Sequence, residues 1–511
     1  QNVAVGSESL DACTTGDNNV SIGHGCLTNA TTGSSNTAIG LATMQNTTTG
    51  AGNTAVGDRA LQANTTASSN VAVGQYAAGG NTTGSNNTAV GRQALNVNQT
   101  GGYNTANGVN ALLYTTGNNN TAVGANAMRD ATTGNDGVAM GSFAMGDGTW
   151  TGNTCVAIGN SSLANATSAY QDVAVGTYAL QKVTTSNNTT AIGHSALKEL
   201  VSGASNTAIG FGVLRSVTTS SANTVVGHDA GRLITSSDNT GLGCDVMYDL
   251  TTGNRNVAIG SGGAGSTAGA LANGTTASNN VAIGYRALYL NTTSGSNTVV
   301  GYEAGRDITG SQNCCFGQQC GSNITSGVQN LLAGNNAGTY ITQLTTGDFN
   351  VLLGPYTRTS AADVDKEIVM GYLVAGMGTR TFKVASDLGV FHAGNTTTWS
   401  TTSDKRIKKN IVDNNSGLDL LNSIQVRNFE YKTEDEIITD NPELKDVVSS
   451  AVVDKKGLQL GVIAQELEEI LPECVETQST GIKTVHTDNL TWYLLNAVKE
   501  LSAKVTALEA A

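Results

Sequence analysis

Aromatic side chains make up only 5% of this 511-residue chain, and prolines number three. Hydrophobic residues reach 39% against 63 glycines, too lean a mixture for a large globular core. Disorder is the usual alternative, but it needs high charge as well as low hydrophobicity, and charged residues are only 13%. A repetitive fold held by Asn, Thr, Ser and Gly is what remains. No apolar run reaches the roughly 18 residues that cross a bilayer, so no membrane insertion is expected. The amino terminus lacks the basic and apolar regions of a signal peptide. Basic stripes are missing too, and a net charge of −13 argues against nucleic acid or an anionic membrane as partner.

The eight cysteines include no CxxC pair and no histidine at finger-like spacing, so neither a metal site nor a cofactor is expected. Cys314, Cys315 and Cys320 form the one cluster worth testing for a disulfide.

An internal period is present instead. Asn36-Thr37-Ala38-Ile39-Gly40, Asn53-Thr54-Ala55-Val56-Gly57, Asn70-Val71-Ala72-Val73-Gly74 and Asn87-Thr88-Ala89-Val90-Gly91 start 17 residues apart. The phrase occurs 21 times between residues 2 and 354, mostly at intervals of 16 to 18, with longer units of 24 and 20. An Ala-Leu pair such as Ala60-Leu61 and a polar Thr-Thr-Gly-like turn complete each unit. Alternation in an extended segment puts Thr/Val and Val/Ile on one face and Ala and Gly on the other. One unit buries almost nothing by itself. Stacked units place Val on Val and Asn on Asn, so a core and a hydrogen-bond ladder arise only in the array.

The expected fold is therefore mainly β: a parallel β-solenoid of about 21 coils with a 17-residue period, a rod on the order of 100 Å long. The Ala and Gly face admits another backbone closely, which is the expected contact for a multimer packed along the rod. Turn glycines are expected to supply positive φ. The phrases resemble the head repeats of trimeric autotransporter adhesins, which implies left-handed parallel β-rolls and a trimer.

Rival functions for the repeat are weak. Calcium-binding nonapeptide rolls need regularly placed aspartates, and residues 1–402 hold only 20 acidic side chains. No carboxylate pair stands out for a glycan-degrading spike. Asn-x-Thr triplets read as turn ladders rather than glycan sites, and His24, His194 and His228 read as turn residues. Breaks in the period are the better binding candidates: the unit around 262–279, and the bulge carrying Trp150, a possible receptor contact.

Residues 403–511 hold 12 basic and 19 acidic side chains, a far higher density than the 14 and 20 of residues 1–402. The expected domains are thus a shaft over 1–354, a β-rich neck over 355–402 with runs at 367–370 and 381–384, and a smaller α+β domain over 403–511. In that domain Val462 to Leu471 reads as a helix stopped by Pro472. Leu494, Val498, Leu501, Val505 and Leu508 form the seam of a closing coiled-coil helix, with a trimer favoured over packing within one chain.

Ser403-Asp404-Lys405-Arg406-Ile407-Lys408-Lys409-Asn410-Ile411, Gly461 to Glu466, Leu471 to Val475 and Asn496 to Leu501 together resemble the intramolecular chaperone auto-processing domain of phage tail spikes and fibres. The resemblance implies trimer assembly followed by self-cleavage between Thr402 and Ser403, with Ser403 and Lys408 as a catalytic dyad. A tail fibre on the virion surface is then the expected role, bound to a host-surface receptor for which a glycan is the candidate. A cell-surface trimeric adhesin is the alternative. The chain opens in mid-repeat at Gln1 without a methionine, so a virion or surface anchor is expected upstream.

Overall fold

A computed structural model describes residues 1–262, 268–385, 408–444, 453, 456–477 and 481–510. The chain divides into two compact units, residues 1–313 and 314–511.

The first unit is a stack of three-residue parallel strands, from β1 (Val3–Val5) to β18 (Thr298–Val300), one per coil. Equivalent phrase positions pair: Thr37 with Thr54 and Val71, Ala38 with Ala55 and Ala72, Ile39 with Val56 and Val73. Hydrogen bonds run between coils along the whole circuit. In one coil, Thr54 N–H donates to Asn70 O at 2.8 Å, Leu61 N–H to Ala77 O at 2.9 Å and Ala63 N–H to Gly79 O at 2.9 Å. Thr48 and Thr65 hydroxyls add a ladder, each donating to the carbonyl of the next rung's threonine at 3.1 Å.

The assignment of faces is the reverse of the expectation. Ala38, Ala55 and Ala72 are wholly buried, together with Ala60 and Leu61, whereas Ile39 and Val73 face water. Side chains of the same coil's turn fill the space on the Ala side: at Gly241, which takes the Ala position, an added Cβ would lie 2.6 Å from Met247 Cε. A coil of 17 residues encloses a space too narrow for β-branched side chains from every wall, so Ala lines the strand and Leu or Met fills from the turn.

Glycines supply positive φ as expected, Gly57 at 136° and Gly74 at 133°, but other residues do so too. Arg59 (φ 56°), Leu61 (φ 50°) and Ser69 (φ 60°) are left-handed, and equivalent positions repeat this in coil after coil. Such residues cost about 1 kcal/mol or more each by themselves; here inter-coil hydrogen bonds hold them. The phrase glycine is different, because a Cβ on Gly57 would lie 2.6 Å from Gly74 O.

The second unit begins with β19 (Cys314–Phe316), β20 (Leu331–Ala333) and β21 (Val351–Leu353). The runs expected to form a neck are instead two more parallel rungs, β22 (Ile368–Gly371) and β23 (Phe382–Ala385). Glu367 takes the ladder position otherwise held by Asn: its N–H donates to Asn350 Oδ1 at 2.9 Å, and its buried carboxylate accepts from Ser360 and Gly378 N–H groups.

From residue 408 the elements are short and mixed: α1 (Leu418–Ser423), β24 (Arg427–Phe429), α2 (Glu434–Asp440), β25 (Gln459–Gly461), α3 (Ala464–Ile470), β26 (Val475–Thr477), β27 (Lys483–Val485) and α4 (Thr487–Glu509). Leu467, Leu471 and Cys474 form a small core, covered by Leu420, Ile424, Val462, Val485, Leu490 and Tyr493. The helix expected to stop at Pro472 does so, with Leu471 as its C-cap. α1 and α4 pack closely where Gly417 lacks a side chain, since a Cβ there would sit 2.4 Å from Ala497 N. Among the described residues no helix is long and apolar enough to cross a membrane.

Candidate functional site

Because the Ala side is internal, the fourth phrase position points outward. Ile22, Ile39, Val73, Ile158, Ile192 and Leu242 are 37–50% exposed. Parallel pairing sets each directly over its counterpart in the next coil, so the first unit carries an outward ridge of mainly aliphatic side chains, interrupted at Asn107. A ridge of this extent is far beyond the scattered apolar residues of an ordinary monomer surface.

The second apolar surface is on α4. Its inward side supplies Leu490, Tyr493 and Ala497 to the small domain, and Glu500 accepts the Leu418 N–H at 3.0 Å. Tyr493 Oη donates to Glu473 Oε1, and Asn496 Nδ2 donates to the Asn414 carbonyl at 2.8 Å. The heptad residues lie elsewhere on the helix: Leu494, Val498, Leu501, Val505 and Leu508 are 44–77% exposed, as is Trp492. Among the described residues, no packing within one chain covers that seam.

Of the residues expected at the cleavage site, Thr402 and Ser403 lie outside the described residues. Lys408 lies within them, exposed, ahead of α1.

Trp150 does not fit a receptor contact. It is the largest fully buried side chain of the described residues, and its ring occupies the space over Gly134 and Gly137, where added Cβ atoms would lie 2.3 and 2.6 Å from ring carbons. The coil interior accepts an indole only because those two positions are glycine. The 24-residue unit keeps strand register, Val257 pairing with Val281, while residues 263–267 lie outside the described residues. Among the triplet asparagines, Asn64, Asn81 and Asn291 are buried, which agrees with turn ladders.

No disulfide joins cysteines among the described residues. A hydrogen bond with Cys320 and burial together push the Cys315 thiol well above its usual range. One further grouping brings different ligand types together: side-chain donor atoms of His228, Cys244 and Asp245 lie within 4.8 Å of one another. Burial pushes the Cys244 thiol up to about 11, and burial, with Asp229 nearby, raises the Asp245 carboxyl.

Residues 403–476 match a peptidase family model described as the chaperone of endosialidase. The C-terminal region is thus similar to a chaperone-of-endosialidase domain. The match to the chaperone family opens on Ser403 itself and runs through α1 and α3 into β26, with α4 just beyond. A search of curated proteins and a search of solved structures each returned no significant match. The chaperone domain thus stands behind a parallel β-solenoid, an arrangement of the tail-fibre type.

Proposed function

We propose that the protein is a phage-type tail fibre, trimeric and displayed on the virion surface, whose shaft attaches to a host receptor. The chaperone domain aligns three chains and then releases itself by cleavage before Ser403. The observation that carries this reading is the family match starting at Ser403, behind a solenoid with an unpaired aliphatic ridge.

Two exposed apolar surfaces support the trimer. Three α4 helices joined along Leu494, Val498, Leu501, Val505 and Leu508 would bury a seam that a single chain leaves in water. Register matters for the shaft, because identical rungs slip past one another easily, and a C-terminal clamp fixes the starting alignment.

In the cleavage step, the Ser403 hydroxyl gives its proton to the Lys408 amine while Oγ attacks the Thr402 carbonyl carbon. The Thr402–Ser403 C–N bond then breaks, leaving an ester on Oγ and a free Ser403 amine. Water hydrolyses the ester and frees the Thr402 carboxylate. A lysine serves as base only where burial lowers its pKa. Lys408 is exposed in the single chain, so the reading places its burial in the assembled trimer, and cleavage then waits on assembly. Loss of the clamp leaves a trimer whose dissociation has no easy reverse path.

Intact-mass spectrometry of the freshly expressed full chain tests this, beside Ser403→Ala and Lys408→Ala. Fragments of 402 and 109 residues in the wild type alone are expected, with a native mass of three shafts. An uncut wild-type chain would sink the processing step and favour a permanent cell-surface adhesin.

A further inference from the structure

The sequence holds two similar tetrapeptides sixteen residues apart, Gly227-His228-Asp229-Ala230 and Gly243-Cys244-Asp245-Val246. That distance is one coil. Thr224 pairs with Thr240 and Val226 with Leu242, and the Asp245 N–H donates to His228 O at 3.0 Å. His228 is therefore stacked on Cys244, and Asp229 on Asp245, in a two-by-two array of metal-ligating side chains.

Several features organise the array. Asp245 is 5% exposed, with its Oδ2 3.4 Å from Cys244 Sγ. Asp229 Oδ2 lies 3.5 Å from His228 Nδ1. The His228 ring stacks on Phe211 at 5.1 Å and 12°, which fixes the plane of the imidazole and leaves its edge for a ligand. On the preceding rung Gly212 opens the space for Asp229, since a Cβ there would sit 2.2 Å from Asp229 Oδ1. A buried carboxylate beside a second carboxylate is expensive unless positive charge is supplied.

We propose that His228, Cys244 and Asp245, with Asp229 as the fourth donor, bind a borderline-soft divalent transition metal of the zinc class. One imidazole, one thiolate and two carboxylates match zinc's ligand types and its preference for four-coordination. Calcium and magnesium prefer an all-oxygen shell, which a thiol at the centre of the array does not offer. Bond lengths near 2.0–2.3 Å put ligand atoms around a tetrahedral zinc about 3.3–3.8 Å apart. The donor atoms of His228, Cys244 and Asp245 need to contract by roughly 1 Å from their 4.8 Å span, within reach of side-chain rotation at exposed His228 and half-buried Cys244, and Asp229 joins them from its place beside His228 Nδ1. Both ligand pairs belong to one chain and to successive rungs, so the metal clips two coils together and its binding does not depend on the tail-fibre reading.

The test uses the full chain, stripped with chelator under reducing conditions, then titrated with Co²⁺ as a spectroscopic probe and with Zn²⁺ in competition. One Co²⁺ per chain is expected, with the intense d–d bands of a tetrahedral site and a thiolate charge-transfer band, both abolished by Zn²⁺. Cys244→Ser is expected to remove the charge-transfer band, and His228→Ala to weaken binding at least about tenfold. His24→Ala, at the equivalent turn position beside Leu41 on the next rung, leaves binding unchanged and serves as the control. His228 is exposed and Cys244→Ser nearly isosteric, so unchanged far-ultraviolet circular dichroism is expected in both variants. Absence of saturable Co²⁺ binding to the wild type, or binding indifferent to both substitutions, would overturn the proposal.

Discussion

Asn36 accepts the backbone N–H of Asn53 through its Oδ1 at 2.9 Å, and Asn53 does the same one rung on, for the N–H of Asn70 at 3.0 Å. Asn53 Nδ2 meanwhile donates to the Ala67 carbonyl at 2.9 Å. One side chain thus satisfies a buried donor on the next rung and a buried acceptor on its own. Asn53→Ala strips both bonds and leaves the Asn70 N–H without its acceptor, an expected loss of about 2–4 kcal/mol. Thermal melts should show it, and amide exchange at Asn70 should accelerate. Unchanged exchange there would contradict the ladder's role.

Asp172 is a natural departure from that ladder. It is wholly buried, accepts from the Ser186 hydroxyl and from the Thr189 N–H at 2.9 Å, and burial raises its carboxyl above the usual range. The folded state therefore holds the proton more tightly than the unfolded chain. The stability this contributes is fully present below the unfolded carboxyl value and is lost as pH rises through that value and the raised folded one. Asp172→Asn restores the amide and is expected to stabilise by about 1 kcal/mol at neutral pH, with the gain vanishing near about pH 3. A gain of equal size in melts at both pH values would refute the assignment.

Trp150 fills a coil interior against Gly134 and Gly137. Trp150→Ala is expected to cost about 3–5 kcal/mol through the cavity it leaves, and Trp150→Phe much less. Denaturant unfolding of the two variants gives the comparison. Equal midpoints for both would show that the ring does not support the coil.

The aliphatic ridge predicts a separation between folding and assembly. Ile39→Glu combined with Ile192→Glu places charges where the single chain has water, so secondary structure should persist while the native mass of the proposed trimer falls from three chains to one. Leu61→Glu, at a wholly buried position, should unfold its coil instead. Retention of the trimer in the double ridge variant would move the subunit contact elsewhere.

The spacing of Asn36, Asn53 and Asn70 was enough to read strand, turn and stacking from the chain alone. The inner face was not, because period two separates Ala55 from Val56 without saying which is enclosed; the width of the coil decides that. Leu61 at φ 50° had no local signal either, since its conformation is held by a neighbouring rung. Glu367 broke the Asn pattern, so the runs at 367–370 and 381–384 read as neck strands and not as further rungs, although its carboxylate takes over the ladder bonding. In the C-terminal domain, Pro472 and the Leu494-to-Leu508 spacing marked a helix end and an exposed seam directly. The Ser403 and Lys408 pairing came from resemblance, as five residues between a serine and a lysine carry no chemistry by themselves. His228 and Cys244 escape any search for contiguous ligand motifs, because sixteen residues become a contact only once the register is known.

In-register pairing of Ala38, Ala55 and Ala72 has a consequence for how such a chain can change length. Every rung offers its neighbours the same edge, so removing or duplicating one whole unit rejoins identical surfaces and alters the stack by about 4.8 Å without disturbing any other coil. Near-identical phrases are also sites where unequal genetic exchange inserts or deletes whole units. Reach is thereby a variable that selection can adjust in discrete steps, independently of the C-terminal domain.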